Sequence, residues 1–157
     1  MIDAPYIVQV AAVLLLLAGA FLALRYGFHR YQLSRYRARL PALDPASVLF
    51  CDRWDIGLSK DGNTLYLLRR KDHKAIRVRS VHGYRRHDSN HMERGTTGRF
   101  RETAVSEVIL EYKGDQGKEE EPLTYGNSSA ESRKLCRYLE QRGFRCLAIK
   151  TRFGYKN

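Results

Sequence analysis

Between Ala4 and Leu24 the chain carries 21 residues without one charged side chain. As a helix rising ~1.5 Å per residue, this stretch covers roughly 31 Å, close to the hydrocarbon thickness of a bilayer. Gln9 is the one strongly polar side chain inside it. A helix satisfies its own backbone hydrogen bonds, so the segment can cross lipid unaided. A simple soluble protein is thereby excluded.

A cleaved signal peptide is the competing reading, since Ala18-Gly19-Ala20 matches a small-residue cleavage site. A signal peptide carries positive residues before its apolar core. Here the preceding flank reads MIDAPY, with Asp3 as its only charge, and five arginines follow the apolar run before the first acid, Asp44. The positive-inside rule then predicts a retained single-pass anchor in the cell inner (plasma) membrane. Its N-terminus lies outside and its C-terminal domain is cytoplasmic. The three cysteines, Cys51, Cys136 and Cys146, are odd in number and widely spaced, which suits a reducing compartment better than a disulfide framework.

Residues 25–40 read RYGFHRYQLSRYRARL. Arg25, Arg30, Arg35 and Arg37 alternate with Tyr26 and Tyr31, a composition suited to the headgroup level of an anionic leaflet. These six residues are the expected membrane interface. The helix is expected to continue beyond the bilayer and stop before Pro41, because a proline disfavours helical backbone at the residue before it. Pro41 to Pro45 reads as a short linker.

Residues 41–157 are long enough for one independent core. Trp54, Ile56 and Leu58 alternate with polar positions, a turn follows at Asp61-Gly62, and Leu65 to Leu68 resumes an apolar run, which predicts a β-hairpin. A third strand is expected from Ile76 through Val78 and Val81 to Tyr84. Residues 86–103 are polar and nearly free of aliphatic side chains, as in a long mobile basic loop or a hairpin extension. Val105 to Tyr112 predicts a strand with Val108, Leu110 and Tyr112 on one face. Pro122 to Tyr125 predicts a short edge strand. Ser128 and Glu131 have capping-box spacing ahead of Leu135, Tyr138 and Leu139, and Gly143 marks the helix stop. Phe144, Cys146, Leu147 and Ile149 form a final strand or pack back on the core.

The order of elements is carried by IGLSKDGNTLYLL, AIRVRSVHGYRR, SEVILEYKG and PLTYG, then by SAESRKLCRYLEQRG. It resembles the pleckstrin-homology-like (PH-like) domains of bacterial single-pass membrane proteins, over roughly residues 48–148. The resemblance implies an α+β fold: an N-terminal transmembrane helix, then a mainly antiparallel β domain with a C-terminal helix. It implies a binding scaffold rather than an enzyme. The basic insertion at 86–103 departs from the family pattern. A fold of this kind hosts many functions, so it cannot by itself name one.

Catalytic signatures are few. His82, His87 and His91 form a cluster in sequence, and His87 and His91, four apart, would offer metal-ligand spacing only on a helix, which the surrounding Gly and Ser disfavour. Cys51 lies beside Asp52 in sequence, but a thiol nucleophile needs a base adjacent in space. No metal, cofactor or small-molecule substrate is expected, and an enzyme using Cys51 or the histidines is the least favoured reading.

The basic belt is more informative. Residues 69–101 hold 11 Lys and Arg against three acids. Arg77 and Arg79, two apart, share one face of a strand. The residues expected to meet a partner are Arg69, Arg70, Lys71, Arg77, Arg79, Tyr84, Arg85 and Arg86. Anionic lipid, an acidic protein or the chain itself would suit such a surface. Nucleic acid is disfavoured by the scarcity of base-stacking aromatics and of a groove-entering helix. Glu119-Glu120-Glu121 is a solvated loop, or else pairs with the belt of a neighbouring copy. The expected function is a non-enzymatic, membrane-anchored adaptor presenting this domain to a protein partner or to itself, with an anionic-lipid-reading module as the alternative.

Overall fold

The structure is a computed structural model that describes residues 4–94, 100–126 and 128–153, with side chains over 8–89, 104–126 and 128–151. The chain divides into two compact units, Met1–Pro41 and Ala42–Asn157.

The first unit is one helix, α1 (Ala4–Arg39). It is long and apolar enough to cross a membrane. From Val8 to Leu24 its side chains are exposed all round, with Leu15 and Leu16 each 74% exposed. A helix apolar on every side needs an apolar surrounding such as lipid. It runs straight through the arginine collar and ends two residues before Pro41, as expected.

The second unit is α+β. Strands β1 (Asp55–Leu58), β2 (Thr64–Leu68) and β3 (His73–Arg77) form an antiparallel three-stranded sheet. The β1–β2 turn holds Gly62 at φ 71°, beyond Asp61, which is what the Asp-Gly pair foretells. From Ala42 onward the supposed linker belongs to this unit: Leu43 is buried and bridges Ser59, and Leu49, just beyond it, pairs with Ile56.

The expected third strand is two strands. A 3₁₀ turn at Val78–Ser80 separates β3 from β4 (Val81–Arg94), and the Ser80 hydroxyl donates 2.7 Å to the Arg77 carbonyl to close it. Arg77 and Arg79 therefore do not share a strand face. Beyond Gly83, β4 pairs antiparallel with β5 (Phe100–Gly114), from Tyr84 opposite Leu110 to Arg94 opposite Phe100. The segment 86–103 is thus a hairpin extension over 86–94 and 100–103; residues 95–99 lie outside the described residues.

After a turn at Gly114–Gly117, β6 (Gly117–Pro122) forms the sheet edge. The expected strand at Pro122–Tyr125 is displaced: regular pairing stops at Pro122, and beyond it the Leu123 N–H still donates to the Val108 carbonyl at 2.7 Å while the Val108 N–H turns to the Thr124 hydroxyl at 3.1 Å. Helix α2 (Ser129–Gln141) begins where expected, with the Ser128 hydroxyl accepting from the Glu131 N–H at 3.3 Å. Gly143, at φ 80°, ends it. Strand β7 (Cys146–Phe153) then returns to lie parallel to β4. The four-stranded sheet has the order β6-β5-β4-β7.

Both sheets contribute to one core. Ile56, Leu65, Leu67 and Ile76 come from the first, Tyr84, Val108 and Leu110 from the second, and Leu135 and Leu139 from α2. Burying a leucine fully is worth ~1.5–3 kcal/mol. Leu135 and Leu139 therefore hold α2 more firmly than 13 residues of helix propensity can.

Candidate functional site

The arginines of the belt do not gather on one surface. Arg69 lays its guanidinium over the Trp54 ring, 3.8 Å from the centroid, and its Nε donates 3.2 Å to the Arg53 carbonyl. Arg70 and Lys71 are exposed in the β2–β3 turn. That turn is at the far end of β3 from Arg77, ~13 Å away at ~3.3 Å per residue.

Arg85 and Arg86 point to opposite faces of the sheet because they are sequential on β4. Arg85 forms ion pairs with Glu111 and Glu120. Arg86 is bonded to Asp88 through Nε at 2.9 Å and through its terminal nitrogen at 2.8 Å. Tyr84 is 1% exposed, and its hydroxyl donates 2.7 Å to the Glu140 carboxylate on α2. The expectation that Tyr84 meets a partner is corrected: it is a core residue.

The acidic run is likewise occupied within the chain. Glu121 accepts from the Trp54 indole at 3.0 Å and from Lys74 at 3.2 Å, and Glu119 accepts from the Tyr112 hydroxyl at 2.7 Å. Glu120 pairs with Arg85 and lies 3.8 Å from Lys118. The cations these carboxylates meet are this chain's own, 35 to 47 residues away for Arg85 and Lys74.

Besides Lys71 in the β2–β3 turn, two arginines of the belt stay open. Arg77 and Arg79 are exposed, and no ion pair engages either guanidinium among the described residues. They flank a groove of about 710 Å³ between β3, its 3₁₀ turn and the β5–β6 hairpin. Lys74 forms one wall. Its ammonium lies 5.2 Å from the Tyr112 ring centroid. Contact with the Tyr112 oxygen, then with Glu121, holds it above the usual lysine range. Lys113 lines the groove with Asp115 and Glu119. Lys113 was not singled out in the sequence, because only the fold brings the β5–β6 hairpin and Arg77 to one groove.

A second groove, of about 450 Å³, runs along α2 between Leu49 and Tyr138 and is lined by Arg133, Lys134 and Arg137. The i, i+4 spacing of Arg133 and Arg137 on the polar face was the available signal.

The thiols and histidines assemble no catalytic constellation among the described residues. Burial pushes the Cys51 thiol up to about 12, and Glu131 and Asp55 add to the effect. Burial likewise raises Cys136 to about 11. A nucleophilic cysteine needs the opposite environment. His82 and His87 lie on β4, where a helical ligand pair is impossible, and the His91 side chain is outside the described residues. No group of three metal-ligating side chains occurs among the described residues.

On α1, Arg30 lies 5.9 Å from the Tyr26 ring centroid and Arg35 lies 5.7 Å from that of Tyr31. Both are i, i+4 pairs. Arg25 and Arg37 are exposed. No protein-family model, curated protein or solved structure matches the chain.

Proposed function

We propose that the chain is a non-enzymatic, single-pass inner-membrane adaptor of bacterial type, whose cytoplasmic PH-like domain presents the Arg77–Arg79 groove to an acidic segment of a protein partner. The observation that carries this reading is selective neutralisation. Arg85 and Arg86 are engaged by carboxylates of their own chain, and Arg69 is stacked on Trp54, whereas Arg77 and Arg79 are left open beside a groove. Exposed unpaired charge destabilises a compact domain slightly and steers an oppositely charged partner.

Three strands plus four strands around one core, with a helix packed into it, support the PH-like reading. Strand β7, added in parallel after the helix, departs from it. The arginines that follow the apolar span support a cytoplasmic domain by the positive-inside rule. Interfacial Tyr26 and Tyr31 with Arg25, Arg30, Arg35 and Arg37 set the depth of the helix.

The test is crosslinking in the native membrane followed by purification of full-length protein, beside the variant Arg77→Glu/Arg79→Glu. A stoichiometric protein recovered with the wild type and lost from the variant establishes the adaptor. Recovery of anionic lipid alone, reduced in the variant, selects a lipid-reading module instead. Equal recovery of everything in both samples removes the groove from the account.

A further inference from the structure

The two sheets expose four outer strands, and three of them are closed to further pairing. Strand β1 is covered along its far side by Leu49, whose N–H and carbonyl pair with Ile56 at 2.7 and 2.9 Å. Strand β3 is five residues long, carries His73, Lys74 and Arg77, and ends in a 3₁₀ turn. Strand β6 reads Gly-Lys-Glu-Glu-Glu-Pro. Short length, dense charge and proline are the devices that keep an edge from pairing.

Strand β7 has less of this protection: a bulge at Leu147 interrupts its start, and from Ala148 onward it pairs in regular register with β4. It is eight residues long and terminates the sheet, with β4 on one side and no strand on the other among the described residues. From Cys146 to Thr151 it reads Cys-Leu-Ala-Ile-Lys-Thr, with one charge. Leu147 is 39% and Ile149 is 63% exposed, although both suit a packed strand. An edge strand with unpaired N–H and carbonyl groups and exposed aliphatics is a template for one more strand.

We infer that β7 is a docking edge for an extended segment of another protein, one whose side chains alternate between apolar and acidic. Charge selects this occupant. Between Gly143 and Phe153 the chain carries Arg145, Lys150 and Arg152 and no acid. A second copy pairing β7 with β7 would bring these like charges together, and like charges across a strand pair are destabilising. Ile149 stands opposite Arg86 and Lys150 opposite His87 in the β4 register, so Ile149 and Lys150 project from opposite faces of the sheet. An added strand with aliphatics on the Ile149 face and carboxylates on the Lys150 face matches both. The edge lies outside the Arg77–Arg79 groove and does not depend on the reading given to it.

The experiment uses the full chain in detergent and a fluorescein-labelled peptide, Glu-Val-Glu-Val-Glu-Ile-Glu-Val, read by fluorescence anisotropy. Binding is expected, with slowed amide exchange in β7. Ile149→Lys should weaken it at least tenfold, and Arg77→Glu/Arg79→Glu, which removes any binding of the acidic peptide at the groove, should leave the slowed amide exchange in β7 unchanged. The same peptide with alternate backbone nitrogens methylated, tested on the wild type, should also lose at least tenfold, since it cannot complete a ladder. The methylated peptide keeps the test valid even if Ile149→Lys fails to fold. No binding, or equal binding of the methylated peptide, overturns the inference. A wild-type dimer in sedimentation that Ile149→Lys dissolves would assign the edge to a second copy instead and overturn it too.

Discussion

The phenol of Tyr84, on the central strand β4, donates a 2.7 Å hydrogen bond to Glu140 in the last turn of α2. This bond ties the four-stranded sheet to the helix that closes the core. Burial, followed by the bond to Glu140, pushes the phenol above its usual range, which keeps it a donor at neutral pH. A hydrogen bond to a charged acceptor is worth ~1.5–3 kcal/mol, less where the acceptor is solvated. Tyr84→Phe is expected to cost about 1–2 kcal/mol in denaturant unfolding. It should leave groove binding intact, because Tyr84 lies in the core.

The β1–β2 turn is expected to respond to acid. Asp61 accepts from the Ser59 hydroxyl at 2.5 Å and from the Asn63 side chain and N–H at 3.0 and 3.2 Å. The Ser59 bond, then those from Asn63, lower its carboxyl from 3.8 to about 2. A carboxyl depressed on folding contributes stability that is present above its unfolded value and lost as pH falls through its folded value. The stability difference between wild type and Asp61→Asn should therefore be constant above about pH 5 and shrink between about pH 4 and pH 2. Urea titrations across that range measure it. A difference that does not change with pH would show that the bonds do not favour the charged form.

The thiols are expected to be slow. Burial that pushes the Cys51 thiol up to about 12 keeps it almost wholly protonated at pH 8, and the thiolate is the reactive species. Iodoacetamide should modify Cys51 at least a hundredfold faster after unfolding than before, and Cys51→Ser should fold normally. The same shielding makes Cys51 and Cys136 poor reporters of membrane sidedness. An Asp115→Cys variant, exposed at the β5–β6 turn, serves better. An impermeant maleimide is expected to label it only after cells are permeabilised.

Local signals in the sequence were legible. The Asp61-Gly62 turn, the Ser128–Glu131 cap, the Gly143 stop and the uncharged run from Ala4 each act within a few residues. What was hidden depends on partners distant in sequence. Ile76 and Val78 alternate with arginines well enough to suggest one strand running on to Val81 and Tyr84, and only the 3₁₀ turn closed by Ser80 shows the break. The burial of Tyr84 needs Glu140, 56 residues on. The segment 86–94 reads as a polar loop because its pairing partner, 100–108, is equally polar near the tip, so hydrophobic alternation does not reveal the strands. Counting arginines over 69–101 overstated the site for the same reason. Charge along a chain does not reveal which cations find carboxylates in the fold. Glu111 and Glu120 engage Arg85, while Arg77 and Arg79 stay open.

The central claim is that the groove beside Arg77 and Arg79 holds a protein. Photocrosslinking from within it tests this most directly. Benzoylphenylalanine would be placed at Ala75 or Ser80, which line the groove, and at Lys60, exposed in the β1–β2 turn, in full-length protein in its native membrane. The account predicts one protein adduct of a single mass from positions 75 and 80, absent from position 60 and abolished by Arg77→Glu/Arg79→Glu. Adducts with lipid only, or the same adducts from all three positions, would contradict it.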